Sequence, residues 1–225
     1  MSEAQRPYDL LIFDWDGTLV DSQAQIVNTM QAAIRELNLP AREDHQIAEL
    51  IGLGLDDVLR RLYPEQDLHM LKRLYAGYVQ RFVASGVKEA PLFAEVTATL
   101  EGLCEAGYTL SIATGKSRRG LDRALEHHAI LRPLFQSTRC ADETASKPDP
   151  LMLRELLSEH AVHARRALMI GDTEYDMQMA GALGVDGLAV TCGVHAAERL
   201  RAAGAKGLIA DLRELPRWLS AQGRA

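Results

Sequence analysis

Phe13-Asp14-Trp15-Asp16-Gly17-Thr18-Leu19-Val20-Asp21-Ser22 is an acidic, glycine-containing segment that directly follows the apolar run Tyr8-Asp9-Leu10-Leu11-Ile12. The apolar run has no helical period and ends at a turn, which predicts a buried β-strand over residues 8–13. Ligands of parallel α/β sheets bind outside the carboxyl ends of the strands, so the polar residues after such a strand are the first candidates for function. Asp14 and Asp16 lie at that place.

Four further strand candidates lie at residues 109–114, 134–138, 167–170 and 187–191, and amphipathic helical segments separate most of them. Alternating strands and helices are typical of an α/β fold with a parallel sheet. We therefore predict a doubly wound, Rossmann-like core.

Residues 21–85 interrupt this alternation. Their apolar residues, such as Ile26, Met30 and Ile34, recur at intervals of three and four, and no strand pattern is evident. The pattern predicts an all-helical cap domain over residues 18–85, inserted into a core that comprises residues 1–17 and 86–225. Gly and Pro residues punctuate the two connections, residues 17–21 and 85–91, which we expect to act as hinges.

Composition and charge narrow the class of protein. The 225 residues are 47% hydrophobic and 25% charged, as expected of a globular protein, and the formal net charge of −6 disfavours nucleic-acid binding. No apolar run approaches the ~18 residues of a membrane span, and no secretory leader is evident, so we expect a cytoplasmic protein. Cys104, Cys140 and Cys192 lie far apart and are predicted to be buried side chains without disulfides or zinc. No sequence pattern indicates an oligomeric state.

Polar residues also flank the other predicted strands. Thr114-Gly115-Lys116-Ser117 follows the second strand, Lys147 precedes the fourth, and Asp172 and Asp176 follow the fourth. Because ligand sites of parallel sheets form at one edge, we expect these residues to meet Asp14 and Asp16 there.

This combination of residues predicts a metal and phosphate site. Carboxylate oxygens suit Mg²⁺, which binds through few carboxylates together with a substrate phosphate. Thr114 and the backbone N–H groups of Gly115 and Lys116 offer an anion cradle at a helix start, and Lys147 can neutralise a phosphoryl oxygen.

Each motif by itself has a simpler interpretation. Asp14 and Asp16 could cap a helix, and Asp176 could be an ordinary acid of a helix surface. Thr114-Gly115-Lys116-Ser117 is similar to the end of a nucleotide-binding P-loop, but that loop requires glycine where this chain has Leu110. Gly52-Leu53-Gly54 follows no strand, which excludes a dinucleotide-binding loop and favours a turn between cap helices.

In their order along the chain, these motifs resemble those of the haloacid dehalogenase-like superfamily, and within it the phosphoglycolate-phosphatase-like hydrolases with a helical cap. DxDGTLxDS appears at residues 14–22, the hydroxyl residue of the second motif is Thr114, the KPxP lysine is Lys147, and GDxxxD supplies Asp172 and Asp176. The resemblance covers nearly the whole chain.

The resemblance implies a Mg²⁺-dependent phosphatase. Asp14 would attack phosphorus to form an aspartyl-phosphate, while Asp16 would donate a proton to the leaving alkoxide and later accept one from water. The metal would be held by a side-chain oxygen of Asp14, the backbone carbonyl of Asp16 and the side chain of Asp172. Asp176 would support this shell through water or Lys147.

Other activities with similar motifs fit less well. Dehalogenases lack the second acid, which is Asp16 here, and phosphonatases need a cap lysine, for which the cap offers Lys72 in a helical pattern. Hexose phosphomutases of this type usually carry a cap histidine where this chain has Ile26. A phospho-receiver signalling domain would be about half as long and would carry no helical insertion.

A cap that closes over the site is expected to exclude large molecules, so we expect a small phosphomonoester as the substrate. Ile51-Gly52-Leu53-Gly54-Leu55 is similar to the glycine-containing substrate loop of phosphoglycolate phosphatases. The similarity makes 2-phosphoglycolate the leading candidate and Gly52 a substrate-binding residue. A broad-specificity phosphatase and a sugar-phosphate phosphatase or phosphomutase are left open.

Overall fold

A parallel six-stranded sheet forms the centre of the protein in the computed structural model, which describes residues 6–84 and 89–223. The strand order is β3-β2-β1-β4-β5-β6, which confirms the predicted doubly wound α/β core. The strands are β1 (Leu10–Phe13), β2 (Thr109–Thr114), β3 (Ser137–Cys140), β4 (Ala167–Gly171), β5 (Asp186–Val190) and β6 (Gly207–Ile209).

The register of the central strands brings their carboxyl ends together. Phe13 at the end of β1 pairs with Ile112 of β2 on one side and with Ile170 of β4 on the other. The strand order reverses between β1 and β4, and such a reversal opens a crevice for ligands. The residues that follow β1, β2 and β4 therefore share one edge of the sheet.

Helices cover both faces of the sheet because successive strand residues point to opposite sides. Leu11 and Phe13 pack on the layer that contains α5, α6 and α10, whereas Leu10 and Ile12 pack on the layer of α7 and α8. The core helices are α5 (Val96–Glu105), α6 (Arg118–His127), α7 (Leu151–Glu159), α8 (Glu174–Gly181), α9 (Ala197–Ala202) and α10 (Leu215–Gln222).

Four helices lie between β1 and α5: α1 (Gln23–Glu36), α2 (Asp44–Ala48), α3 (Leu55–Leu62) and α4 (Leu68–Ala84). They bury a separate apolar cluster that includes Met30, Ile34, Leu59 and Leu74. Tyr175 of α8 belongs to this cluster as well, so the four helices, which we call the cap, pack directly against the core.

The two connections between cap and core hydrogen-bond to each other. The Asp21 N–H donates to the Pro91 carbonyl over 2.9 Å, and the Phe93 N–H donates to the Leu19 carbonyl over 3.0 Å. Gly17 has a φ of +77°, a backbone conformation that favours glycine, at the start of the first connection. Residues 85–88 of the second expected hinge lie outside the described residues.

Some local expectations were wrong. The third strand was predicted over residues 134–138 but begins at Ser137. Residues 132–134 form a 3₁₀ turn instead, with Pro133 near its start. β6 was not predicted, since three residues give no recognisable period. Cys140 is buried, but Cys104 is half-buried and Cys192 is exposed. Within residues 6–84 and 89–223, no helix combines the length and apolar composition needed to cross a membrane.

Candidate active site

Asp14 is the first residue after β1, and its backbone N–H continues the sheet by donating to the Ile170 carbonyl over 2.9 Å. Its side chain is 1% exposed. One carboxylate oxygen, Oδ1, lies 2.7 Å from the ammonium of Lys147. The other, Oδ2, is buried and has no hydrogen-bond partner in the described part of the chain. Asp14 therefore presents a buried oxygen that is available to a metal ion or to phosphorus.

Asp172 follows β4 and lies beside Asp14 at the sheet edge. Its Oδ1 accepts a hydrogen bond from the Thr18 hydroxyl over 2.8 Å, and its Oδ2 accepts one from the Val194 N–H over 2.9 Å. A Cβ added at Gly17 or at Gly193 would lie 2.2 Å from Oδ2 of Asp172. Only glycine fits at these two positions while the carboxylate keeps this place.

Asp176 is the third acid of the cluster and belongs to the first turn of α8. Its Oδ2 accepts hydrogen bonds from the backbone N–H and the hydroxyl of Thr173, over 3.1 and 2.7 Å, which forms the N-terminal cap of the helix. Its Oδ1 lies 2.7 Å from Lys147. Lys147 thus bridges Asp14 and Asp176.

The buried cluster contains three carboxylates and one lysine. Carboxylate oxygens of Asp14, Asp172 and Asp176 all lie within 4.8 Å of one another. Burial raises the pKa of Asp14 well above its usual range. The charge of Lys147 lowers this pKa, and the charges of Asp176 and Asp172 raise it further. Burial and the charge of Asp176 raise the pKa of Asp172 to about 7.

The pKa of Lys147 is set by the same two influences, burial and neighbouring charge, but here they oppose each other. Burial lowers its pKa, but the charges of Asp14 and Asp176 outweigh burial and raise the pKa overall. One lysine cannot balance three buried carboxylates. The crowded oxygens and the unpartnered Oδ2 of Asp14 therefore fit a hard divalent cation such as Mg²⁺.

Asp16 is not part of the group of three clustered acids and contacts other residues. Its Oδ1 accepts a hydrogen bond from the Ser22 hydroxyl over 2.7 Å and lies 3.0 Å from the ammonium of Lys116. Asp16 is 8% exposed, compared with 1% for Asp14. The two acids of the first motif therefore have different surroundings, as a nucleophile and a proton donor would require.

Thr114 is the last residue of β2 and is fully buried. Its hydroxyl accepts a hydrogen bond from the Lys116 N–H over 3.2 Å. The expected helix start lies later than predicted, because α6 begins at Arg118 and is capped by the Ser117 hydroxyl. Gly115 and Lys116 instead belong to the loop between β2 and α6.

The loop between α2 and α3 in the cap reaches this strand-to-helix loop. A Cβ added at Gly115 would lie 2.5 Å from the Gly52 carbonyl oxygen, so glycine permits the close approach. The Gly54 N–H donates to the Ser146 hydroxyl over 2.8 Å, next to Lys147 in the chain. Gly52 therefore lies beside Gly115, in the loop that follows β2.

Two core residues that the sequence analysis missed hold the same part of the cap. The Tyr175 hydroxyl donates to the Glu49 carbonyl over 3.0 Å, and Nε2 of His195 lies 3.2 Å from the same oxygen. Nδ1 of His195 accepts from the Glu174 N–H over 3.0 Å, which assigns the ring proton to Nε2. Tyr175 lies inside the GDxxxD motif, which was the available signal, whereas no motif marks His195.

The sheet edge thus gathers Asp14, Asp172, Asp176 and Lys147 into one ion-paired cluster, with Asp16, Lys116 and Thr114 beside it. A buried carboxylate follows the first strand, a lysine precedes the fourth strand, and two acids follow the fourth strand. Together they supply the oxygens and the positive charge with which a metal ion and a phosphate can be bound. Residues 11–190 match the family described as haloacid dehalogenase-like hydrolase, and the chain belongs to this family.

Relatives with established names agree with this assignment. The chain is 32% identical over 197 residues to "Phosphoglycolate phosphatase" of Aliivibrio fischeri, covering 84% of this chain and 86% of the relative. It is 34% identical over 199 residues to "Probable phosphatase IndB" of Dickeya dadantii, covering 86% of each. The chain is therefore a phosphatase-type member of the family, a phosphoric monoester hydrolase.

Solved structures share the fold over almost their full length. A hydrolase from Pseudomonas syringae matches with a TM-score of 0.81 at 25% identity, covering 94% of this chain and 97% of that one. A predicted phosphoglycolate phosphatase from Haemophilus somnus matches with a TM-score of 0.85 at 22% identity, covering 94% and 98%. The second likeness concerns the fold alone.

Proposed function

We propose that this chain is a Mg²⁺-dependent phosphomonoesterase that hydrolyses a small phosphorylated metabolite through an aspartyl-phosphate. The observation that carries the proposal is the environment of Asp14, whose buried Oδ2 has no hydrogen-bond partner in the described residues while Lys147 holds Oδ1 at 2.7 Å. Lys147 orients the carboxylate and leaves the second oxygen to react.

A side-chain oxygen of Asp14, the backbone carbonyl of Asp16 and the side chain of Asp172 would hold the metal ion. Asp176 would support this shell through Lys147, which it contacts at 2.7 Å. When bound, the cation would neutralise phosphoryl oxygens and balance the surplus of buried carboxylate.

The reaction divides between the two acids of the first motif. An oxygen of Asp14 would form a bond to phosphorus as the ester P–O bond breaks, and Asp16 would give its proton to the departing alkoxide. Water would then attack phosphorus, return a proton to Asp16 and release inorganic phosphate from Asp14. Lys116 lies 3.0 Å from Asp16, so its ammonium is close to the oxygen at which the proton transfer would take place.

The transferring phosphoryl group would be held by residues from two loops. Lys147 and the Thr114 hydroxyl would contact its equatorial oxygens, together with backbone N–H groups of Gly115 and Lys116. Thr114 ends β2, Gly115 and Lys116 follow it, and Lys147 lies in the loop between β3 and α7, which supports their proposed role.

We propose that residues 18–85 act as a lid that moves at residues 17–21 and 85–91 relative to a core of residues 1–17 and 86–225. The contact of the Gly52 carbonyl with Gly115 supports this role, since it closes the site from the cap side. Such a lid would admit small molecules and exclude nucleic acids, lipids and proteins. The net charge of −6 also disfavours nucleic acids as substrates.

The first substrate to test is 2-phosphoglycolate. The names of relatives from Aliivibrio fischeri and Vibrio cholerae support it, as does the position of Gly52 beside the site. A broad-specificity or sugar-phosphate phosphatase is the alternative, and the wide cavity above Asp16 favours it.

The decisive experiment is phosphate release in the presence of Mg²⁺ from 2-phosphoglycolate, hexose phosphates, nucleotides and pyrophosphate, with the Asp14→Asn variant as the blank. We expect continuous turnover of at least one small phosphomonoester. Accumulation of phosphoprotein without release of phosphate would instead indicate a phospho-receiver and would overturn the proposal.

A further inference from the structure

A cavity of about 1210 Å³ separates the cap from the core directly above Asp16. We call it the cap chamber. Its cap walls are formed by α1, α2, α3 and α4, and its core walls by α6 with the loop before it and by the loop that follows β3. Asp16 and Lys116 line it, whereas Asp14 lies behind them. If Asp16 protonates the leaving oxygen, the chamber is the place where the alcohol part of the substrate lies.

The size of the cap chamber exceeds the needs of a two-carbon alcohol. Small-molecule sites typically enclose ~300–1,000 Å³, and the chamber lies at or above the upper end of that range. A glycolate group would fill only a small part of this volume and leave the apolar walls in contact with water.

The cap wall of the chamber is apolar and aromatic. Tyr78 and Phe82 are successive residues on one face of α4, and their rings lie 5.5 Å apart. The ammonium of Lys116 lies 5.7 Å from the centre of the Phe82 ring. Since Lys116 contacts Asp16, this aromatic pair is next to the reacting end of the site. Further apolar wall residues are Ile26, Met30 and Val79.

The charges of the cap chamber disfavour an anionic alcohol. Among the described lining residues, those of the cap include no lysine, arginine or histidine, and their charged side chains are Asp56 and Asp57. The core wall does supply cations, namely Lys116, Arg118, Arg119 and Arg123. Lys116 pairs with Asp16, Arg118 with Glu143 over 2.7 Å and Arg123 with Glu89 over 3.1 Å, whereas Arg119 is exposed to solvent. A substrate carboxylate in the chamber would therefore face apolar and acidic cap residues, disrupt an existing ion pair or pair with a solvent-screened arginine, which contributes little.

We infer that the cap chamber selects phosphomonoesters whose alcohol carries an uncharged apolar group larger than glycolate, with Tyr78 and Phe82 as specificity-determining residues. The inference rests on the proposed phosphomonoesterase function. An aromatic group would lie against the paired rings and release water from the walls, so its benefit would appear mainly as a lower KM. 2-Phosphoglycolate would then be turned over less efficiently than such an ester.

The test compares benzyl phosphate, ethyl phosphate and 2-phosphoglycolate, whose alcohols are of broadly similar acidity, by phosphate release in Mg²⁺. We expect benzyl phosphate to exceed both others in kcat/KM by at least about tenfold, chiefly through KM. Equal values for benzyl and ethyl phosphate, or a first rank for 2-phosphoglycolate, would overturn the inference and leave the proposed function standing. Hydrolysis of none of the three would overturn the inference, and the proposed function would fall with it only if hexose phosphates and nucleotides were also not hydrolysed.

Variants of α4 assign the effect to the wall. Phe82→Leu keeps an apolar side chain and should lower kcat/KM for benzyl phosphate by about five- to tenfold, with ethyl phosphate within about twofold. Tyr78→Leu should act in the same direction. Leu68→Ala alters an exposed residue of the same helix that does not line the chamber, so it should leave both esters unchanged. Equal losses for both esters in Phe82→Leu and Tyr78→Leu would overturn the role given to the two rings.

Discussion

Lys147 and Asp14 form a fully buried ion pair, with the ammonium 2.7 Å from Oδ1, and the same ammonium lies 2.7 Å from Asp176. The lysine therefore has two tasks. It orients the proposed nucleophile, and it is the positive charge that these acids contact in the described structure.

The first prediction follows from this double role. Lys147→Ala should lower kcat/KM by at least about 100-fold, because it removes a preorganised charge that faces the phosphoryl oxygens. It should also reduce the free energy of unfolding of the metal-free protein by ~3 kcal/mol, since partners of a buried ion pair are left uncompensated. Kinetics below the melting temperature separate the two effects. Lys72→Ala, at an exposed lysine of the cap, is the control, and an unchanged kcat/KM in Lys147→Ala would contradict the assignment.

The second prediction concerns the nucleophile. Asp14→Asn should reduce turnover by at least ~1,000-fold, because an amide oxygen cannot form the aspartyl-phosphate. The fold should persist, since the amide is nearly isosteric and Lys147 keeps its contact with Asp176. Circular dichroism would check the fold and phosphate release the turnover. Glu105→Gln, at an exposed position of α5, should retain full activity. Activity of Asp14→Asn above about 1% of wild type would rule out Asp14 as the nucleophile.

The residues that meet at the site could be predicted from the sequence because each of them lies next to a strand with a recognisable local pattern. Short apolar runs without a helical period predicted β1, β2 and β4. A parallel sheet brings the residues at the carboxyl ends of such strands to one edge. This is why Asp14, Thr114 and Asp172 could be grouped before any coordinates were known.

Other features of the site depend on contacts between segments that are distant in the sequence, and no local sequence pattern predicts such contacts. The Val194 N–H reaches Asp172, and His195 reaches Glu49, through a loop after β5 that has no recognised motif. The pairing of Lys116 with Asp16 depends on how two loops approach each other, which residue spacing does not give. β6 was missed because three residues cannot display a period.

The third prediction is a dependence of stability on pH in the metal-free protein. The pKa of Asp172 is raised from 3.8 to about 7 by burial and by the charge of Asp176. Between these values the folded protein binds more protons than the unfolded chain, so stability must fall as pH rises from about 4 to about 7. Thermal melts in chelator should show a decreasing midpoint across this window. Asp172→Asn should make the decrease smaller and leave the part that is due to Asp14, whose pKa burial also raises. A midpoint that rises with pH would contradict the assignment.

The fourth prediction concerns the metal. Excess chelator should abolish turnover, Mg²⁺ should restore it, and Ca²⁺ should inhibit because it accepts more ligands in a looser geometry. Mg²⁺ should also raise the melting midpoint more at pH 8 than at pH 5, since it opposes the repulsion of ionised carboxylates. Asp172→Asn should lose both effects. Full activity in chelator would remove the metal from the mechanism.

The last prediction tests how the core holds the cap. The hydroxyl of Tyr175 donates to the Glu49 carbonyl over 3.0 Å, just ahead of the loop that carries Gly52 to the site. Its removal in Tyr175→Phe should cost about 1 kcal/mol of closure, equivalent to roughly a fivefold rise in KM, with a smaller change in kcat.

Tyr63→Phe is the matched control for this cap contact. Its hydroxyl donates to the Pro40 carbonyl over 2.6 Å, and both residues belong to the cap. It should therefore lower the melting midpoint without changing KM, because the bond does not cross from core to cap. His195 lies 3.2 Å from the same Glu49 oxygen as Tyr175, so adding His195→Ala to Tyr175→Phe should raise KM by more than the product of the single effects. Equal KM values in Tyr175→Phe and Tyr63→Phe would show that the Glu49 contact does not control closure of the cap.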